Sequence, residues 1–399
     1  MRIPTQLVYN IAMKTTERKK RGAAAIFALC PRRTALLLVA ALVVLLHLAT
    51  RRNYALNRAL SEHAVRPLHR LLSRINDVLP FSLAELLIGL AAAALLVYII
   101  YTIACLIARK GRGARLYRFL VTLAAAGMSV YALFCLLWGV FYYGDDFMAR
   151  SGLPAEKIST AQLATVTRYF AALANETAPQ LPRDERGVCA SDREEILARS
   201  AELYAHLEQV YPFLEGPEVH AKGVFFSRVM SYTDFTGFFF PFTAEANVNT
   251  DSPACYFAST VAHELAHQRG VAQEQQANFV AVLASLDYNE ADYVYSAALL
   301  AYTHLSNALY RADPAAWQEV YSTLSTPVLQ DLKENRDYWQ SFRTPVRAVS
   351  NTVYEGFLQS YDQQLGLKSY GACVDLLVNY YYEIAAASLP EPVPKPPLR

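Results

Sequence analysis

The stretch Thr260-Val261-Ala262-His263-Glu264-Leu265-Ala266-His267-Gln268-Arg269-Gly270 sets two histidines four residues apart among small and apolar neighbours. On a helix, positions i and i+4 share a face. His263 and His267 therefore present their imidazoles to one point, as a tetrahedral Zn²⁺ requires. Glu264 lies about 100° round the helix from the first histidine. There its carboxylate reaches a water rather than the metal, the place of the general base in a zinc peptidase. The competing reading is a core helix with two satisfied histidines. With only 8 His in 399 residues, the spacing and the flanks favour the metal site. Arg269 departs from the apolar residue more usual at its place.

A zinc site needs a third protein donor. The metzincin spacing would put it at Gln273, an unsuitable ligand. Glu274 comes next and opens Glu274-Gln-Gln-Ala-Asn278-Phe-Val-Ala-Val-Leu-Ala284, which reads as a second helix. Gly270 ends the first helix and turns the chain back, so that Glu274 faces the two histidines. The alternative for Glu274 is a solvated charge at a helix N-terminus. Asn278, one turn on, is placed to hydrogen-bond a ligand.

HExxH followed by ExxxN resembles the gluzincin arrangement of the CAAX prenyl protease and HtpX group. A nearer likeness is to a bacterial membrane-anchored family, the domain-of-unknown-function family numbered 3810. It is carried by Gly237-Phe-Phe-Phe-Pro-Phe-Thr-Ala-Glu-Ala-Asn-Val-Asn249, by His263 to Gly270, by Glu274 to Asn278, by Tyr295-Ser296 and by Gly366-Leu-Lys-Ser-Tyr370. The resemblance implies a membrane-bound, zinc-peptidase-like protein and supplies no substrate. The family-like Gly-x-Lys-Ser-Tyr makes Tyr370 the candidate among many tyrosines for stabilising a tetrahedral oxyanion. Asp375 is a candidate for orienting a ligand histidine.

Outward from the motif, the chain is 54% hydrophobic and 18% charged, apolar for a soluble protein. A net charge of +2 gives no field of the kind that nucleic acid needs. Residues 1–33 are basic. Residues 86–108 and 119–143 are charge-free and long enough to span a bilayer, with Trp138, Tyr142 and Tyr143 as an aromatic belt. Residues 34–50 are at the short limit for a span; the competing reading, a cleavable signal peptide, is disfavoured by the long preceding segment and the lack of a small-x-small cleavage site. One side of these spans carries 13 Lys and Arg, the other 8. The positive-inside rule puts the N-terminus in the cytoplasm and the C-terminal domain outside. The expected organisation is a basic segment 1–33, a three-span region 34–143, an extracytoplasmic domain 144–388 and a Pro-rich, disordered tail 389–399.

The outer domain reads as mostly helical and zincin-like, with helices at about 193–210, 290–311, 314–340, 343–363 and 369–388. Residues 224–248 are aromatic and β-branched and read as one or two strands with a turn near 234–237. Glu245-Ala-Asn247-Val-Asn249 alternates as an edge strand would, and an edge strand near the catalytic helix holds substrate backbone by β-addition. Asn247 and Asn249 are therefore candidate substrate contacts; a purely structural hairpin is the alternative. Cys189, Cys255 and Cys373 allow at most one disulfide in that domain, and no CxxC is present.

The expected function is a membrane-anchored zinc metallopeptidase: His263, His267 and Glu274 hold Zn²⁺, and Glu264 is the base. Its partners are a peptide or protein substrate and the lipid bilayer, with no nucleic acid. The alternative is a non-catalytic zinc-binding membrane receptor or assembly factor that keeps the fold. Intramembrane cleavage is disfavoured, because the motif lies about 120 residues past the last span.

Overall fold

A computed structural model describes residues 28–108, 111–153, 156–361 and 370–388. The N-terminal basic segment up to residue 27, Gly366 to Ser369 and the tail from 389 lie outside the described residues. The fold is mainly helical with one small sheet. Among the described residues, three helices are long and apolar enough to cross a membrane: α1 (Pro31–Thr50), α3 (Leu83–Ala108) and α4 (Arg112–Leu137). A shorter helix, α2 (Arg66–Asp77), lies between the first two in sequence.

The chain divides into two compact units, Met1–Arg52 with Leu87–Leu137, and Asn53–Leu86 with Trp138–Arg399. In the first, α1 packs on α4 through Ala40, Val44, Ala132 and Cys135. The second joins the loop between the first two apolar helices to everything after the third. Two crossings, by α3 and α4, would return the chain to the same side of a bilayer, so the union of those two segments in one unit agrees with three spans. The third apolar helix stops at Leu137, short of the expected Tyr143. The chain then tightens into a 3₁₀ turn, Gly139–Tyr143, whose Val140, Phe141 and Tyr143 are buried. Trp138, Tyr142 and Tyr143 are thus not a membrane belt: Tyr142 and Tyr143 pack on Tyr361 and Trp138 on Phe239.

The second unit continues with α5 (Thr160–Thr177), then β1 (Lys222–Val224), β2 (Gly237–Phe240) and β3 (Glu245–Asn249). Helices α6 (Ala254–Gln268), α7 (Glu274–Tyr288), α8 (Ala291–Ala312), α9 (Thr326–Ser341), α10 (Pro345–Ser360) and α11 (Tyr370–Ser388) follow. The core gathers Phe170 of α5, Val261 and Leu265 of α6, Val280 of α7, Leu299 and Leu305 of α8 and Leu377 of α11. Truncating such a fully buried leucine to alanine costs about 2–5 kcal/mol.

Several expected bounds shift for local reasons. The helix after Ser191 is capped by Asp192, whose carboxylate accepts the N–H groups of Glu194 and Glu195, and it ends at Arg199 rather than running to 210. The 314–340 stretch breaks after Tyr321 and resumes at Thr326, with Pro327 in the first turn, where a missing N–H costs no intrahelical bond. The 224–248 stretch holds a short helix, Ser227–Tyr232, between β1 and β2, and the β2–β3 turn falls at 241–244.

The sheet order is β1-β3-β2. β3 is parallel to β1, with Asn247 opposite Lys222, and antiparallel to β2, with Asn247 opposite Phe238. Both edges of β3 are paired. The expectation of an open edge at Glu245–Asn249 is therefore corrected: β1 and β2 are the edge strands.

Candidate metal centre

α6 is buried nearly all round. It ends at Gln268, Arg269 caps it, and Gly270 follows at φ +81°, a conformation that a side chain would strain. The Gly270 N–H bonds the His267 carbonyl (2.8 Å) and the Val271 N–H bonds the Ala266 carbonyl (3.1 Å), a Schellman turn. A Cβ on Gly270 would also lie 2.7 Å from the Phe141 ring. The turn has a second effect. It brings the Val271 carbonyl to 2.7 Å from His267 Nδ1, so Nδ1 carries the proton and Nε2 is left to face the site.

Glu274 is the first residue of α7. Its Oε2 lies 3.2 Å from His263 Nε2 and 3.7 Å from His267 Nε2. One ligand atom from each of His263, His267 and Glu274 falls within 4.8 Å of the others. Two imidazole nitrogens and a carboxylate oxygen are a donor set suited to zinc, with room for a fourth partner. Burial alone would push the Glu274 carboxyl up, but the two imidazoles hold it well below its ordinary range. Burial alone would likewise lower His267; Glu274 outweighs it and raises His267 to about 9.

Glu264 is 3% exposed, and its Oε2 is buried without a hydrogen-bond partner in the protein. Burial raises its carboxyl to about 7 against the pull of His263 and His267. It is held from the sheet side by Gly237, where a Cβ would come within 2.6 Å of Glu264 Cγ and Oε1. Only glycine leaves that carboxylate its place.

Not every expected residue joins the site. Asn278 lines a cavity of about 490 Å³ beside His263 and Glu274, together with Thr260, His304 and Asn335. The hydrogen bond to Glu274, however, comes from Tyr354, whose hydroxyl donates to Oε1 at 2.6 Å. Asp375 is exposed and lines a separate groove with Asp146 and Glu156; the Val271 carbonyl orients His267 instead. Asn247 accepts from Ser82 and donates to the Glu245 carbonyl, while Asn249 donates to Ser231 and the Phe235 carbonyl. Both are structural. Glu245 accepts the Leu83 and Ala84 N–H groups, capping α3, and pairs with buried Lys222. The side chain of Tyr370 lies outside the described residues.

Further residues emerge only in the fold. Tyr354 and Gly237 are two. The Trp138 and His267 rings meet edge to face, their centroids 5.9 Å apart. Arg269, unexpected in a buried helix, is paired with Glu208 at 3.0 Å and lies 4.2 Å over the Tyr204 ring. Tyr295 bonds Asp331, and Ser296 accepts the Ser259 N–H, so that motif is architectural. Gly237 was visible in the sequence only as the residue that opens the aromatic stretch Gly237–Phe242; nothing marked Tyr354 among so many tyrosines. All six cysteines are free and buried, so Cys189, Cys255 and Cys373 form no disulfide.

Residues 60–378 match a family described as Protein of unknown function (DUF3810). No curated protein and no solved structure matches the chain.

Proposed function

The chain belongs to the DUF3810 family, and from its site we propose that it is a membrane-anchored, zinc-dependent metallopeptidase with a zincin-like outer domain that hydrolyses an extracytoplasmic peptide or protein. The observation that carries the reading is the convergence of His263, His267 and Glu274 with the buried, unpartnered oxygen of Glu264 close by. A buried carboxylate oxygen without a partner costs free energy, and a site that brings water or a carbonyl to it accounts for that cost.

His263, His267 and Glu274 would hold the ion. Zinc, when bound, acidifies water and polarises a carbonyl. Glu264 would take the proton of the attacking water and later hand it to the leaving amine, and a carboxyl near pH 7 suits both transfers. The substrate backbone would lie along β2. Asn249 N–H bonds the Thr236 carbonyl, so by antiparallel alternation Gly237 and Phe239 turn their own N–H and C=O groups away from β3. The excess of basic residues on the N-terminal side of the spans supports an extracytoplasmic side for the domain.

The test uses the full-length protein in detergent. Zinc content and digestion of a broad peptide library are measured on wild type, Glu264→Gln and His267→Ala. Wild type should bind zinc and cleave; Glu264→Gln should keep zinc and lose about 10²–10⁴ in rate; His267→Ala should lose both. Zinc binding with no cleavage, and full complementation of the cell by Glu264→Gln, would replace the peptidase by the receptor reading.

A further inference from the structure

We propose that α2 and the Phe225–Phe226 loop form an in-plane seat in the headgroup layer of the lipid bilayer, so that the unit bearing His263 and Glu264 rests on the membrane surface as well as being tethered to it. The first observation is an inverted helix. α2 buries His69, Ser73 and Asn76 and exposes Leu68, Leu71 and Ile75, with Val78 just beyond its end; Leu71 is 57% exposed and Val78 84%. The helix of a water-soluble domain does the reverse. The inversion is built in: Asn76 donates to the Thr243 carbonyl at 2.7 Å, Ser73 to the His69 carbonyl at 2.8 Å, and the His69 ring meets Phe141 and Phe239. The apolar stripe is thus fixed outward and needs an apolar partner.

The second observation says which partner. The backbone N–H groups of Phe225 and Phe226 donate to the carboxylate of Glu85, at 2.9 and 2.7 Å. Glu85 is in the first turn of α3. At 1.5 Å per residue, the 26 residues of α3 reach about 39 Å, beyond the roughly 30 Å of a hydrocarbon core. That first turn therefore stands at the headgroup level, where aromatic rings concentrate. Phe225 is 86% exposed and Phe226 61%. The stripe also lies in sequence between the end of α1 and the start of α3, continuous with two membrane helices, and exposed Arg74 suits the anionic edge of such a seat.

The experiment places nitroxide labels on the full-length protein in phosphatidylcholine–phosphatidylglycerol vesicles. The six native cysteines are buried, so labelling goes to introduced ones: Leu71→Cys, Val78→Cys, Phe225→Cys and, as an aqueous reference, Tyr310→Cys, which is 56% exposed on α8. Collision with oxygen should exceed collision with a water-soluble nickel chelate at 71, 78 and 225, and the order should reverse at 310. Nickel accessibility at the three sites equal to that at 310 would overturn the proposal. So would exclusion of both reagents at all three, which would mean a protein contact such as a second copy. Three independent positions keep the test decisive if one variant fails to fold.

Discussion

Replacing Glu264 by glutamine should make the metal-free protein more stable in mild alkali. Glu264 is buried, one oxygen lacks a partner, and burial lifts its carboxyl from an ordinary 4.5 to about 7. A carboxyl raised in this way stabilises the fold fully below pH 4.5, and that contribution fades as pH climbs to about 7. Above pH 7 the folded state holds a charge it disfavours. At 1.36 kcal/mol per tenfold change in proton affinity, the cost is about 3 kcal/mol. Glutamine keeps the shape and carries no charge. Glu264→Gln should therefore match wild type near pH 4.5 and exceed it by about 3 kcal/mol at pH 8, an upward shift in melting temperature of about 5 °C for a unit of roughly 300 residues. Chelator-treated, detergent-solubilised proteins would be unfolded by heat at both pH values. A gap that does not widen with pH, or a variant less stable than wild type at pH 8, would refute the reasoning that Glu264 is an unfavourably buried acid.

Because Glu274 holds His267 at about 9, zinc must displace a proton from that ring at neutral pH. Calorimetry in buffers of different ionisation heat should report roughly one proton released per ion at pH 7 and none above pH 10; no release at pH 7 would contradict it. Tyr354→Phe removes the donor to Glu274 Oε1 and should weaken zinc binding about 10–100-fold in competition with a chelating dye. Gly237→Ala puts a methyl where Glu264 sits and should cost about 10²-fold in hydrolysis with zinc content unchanged.

The metal-donor cluster was legible because its information is local. The i, i+4 spacing, the glycine turn and the acid just beyond it all lie between His263 and Glu274, and helix geometry converts them directly into a shared face. Tyr354 was not legible, since only the return of α10 brings it to Glu274. β3 was misplaced for a similar reason. Its alternation shows that it is a strand, but its place in the sheet depends on a three-residue β1 that leaves little trace. The segment 51–79 reads from sequence only as polar and helical; that Leu68, Leu71 and Ile75 form one face and turn it outward is decided by the partners of Asn76 and His69.

The turn at Gly270 also bears on time. Every donor of the cluster lies on one helix–turn–helix hairpin, so closing it spans a short loop and costs little entropy. Such a hairpin forms early, with contacts close along the chain. Glu264 meets its clamp from Gly237, already synthesised by then, whereas Tyr354 arrives some eighty residues later. A chain emerging in order would thus complete the three donors first and tighten Glu274 last, making α10 the latch of an already assembled centre.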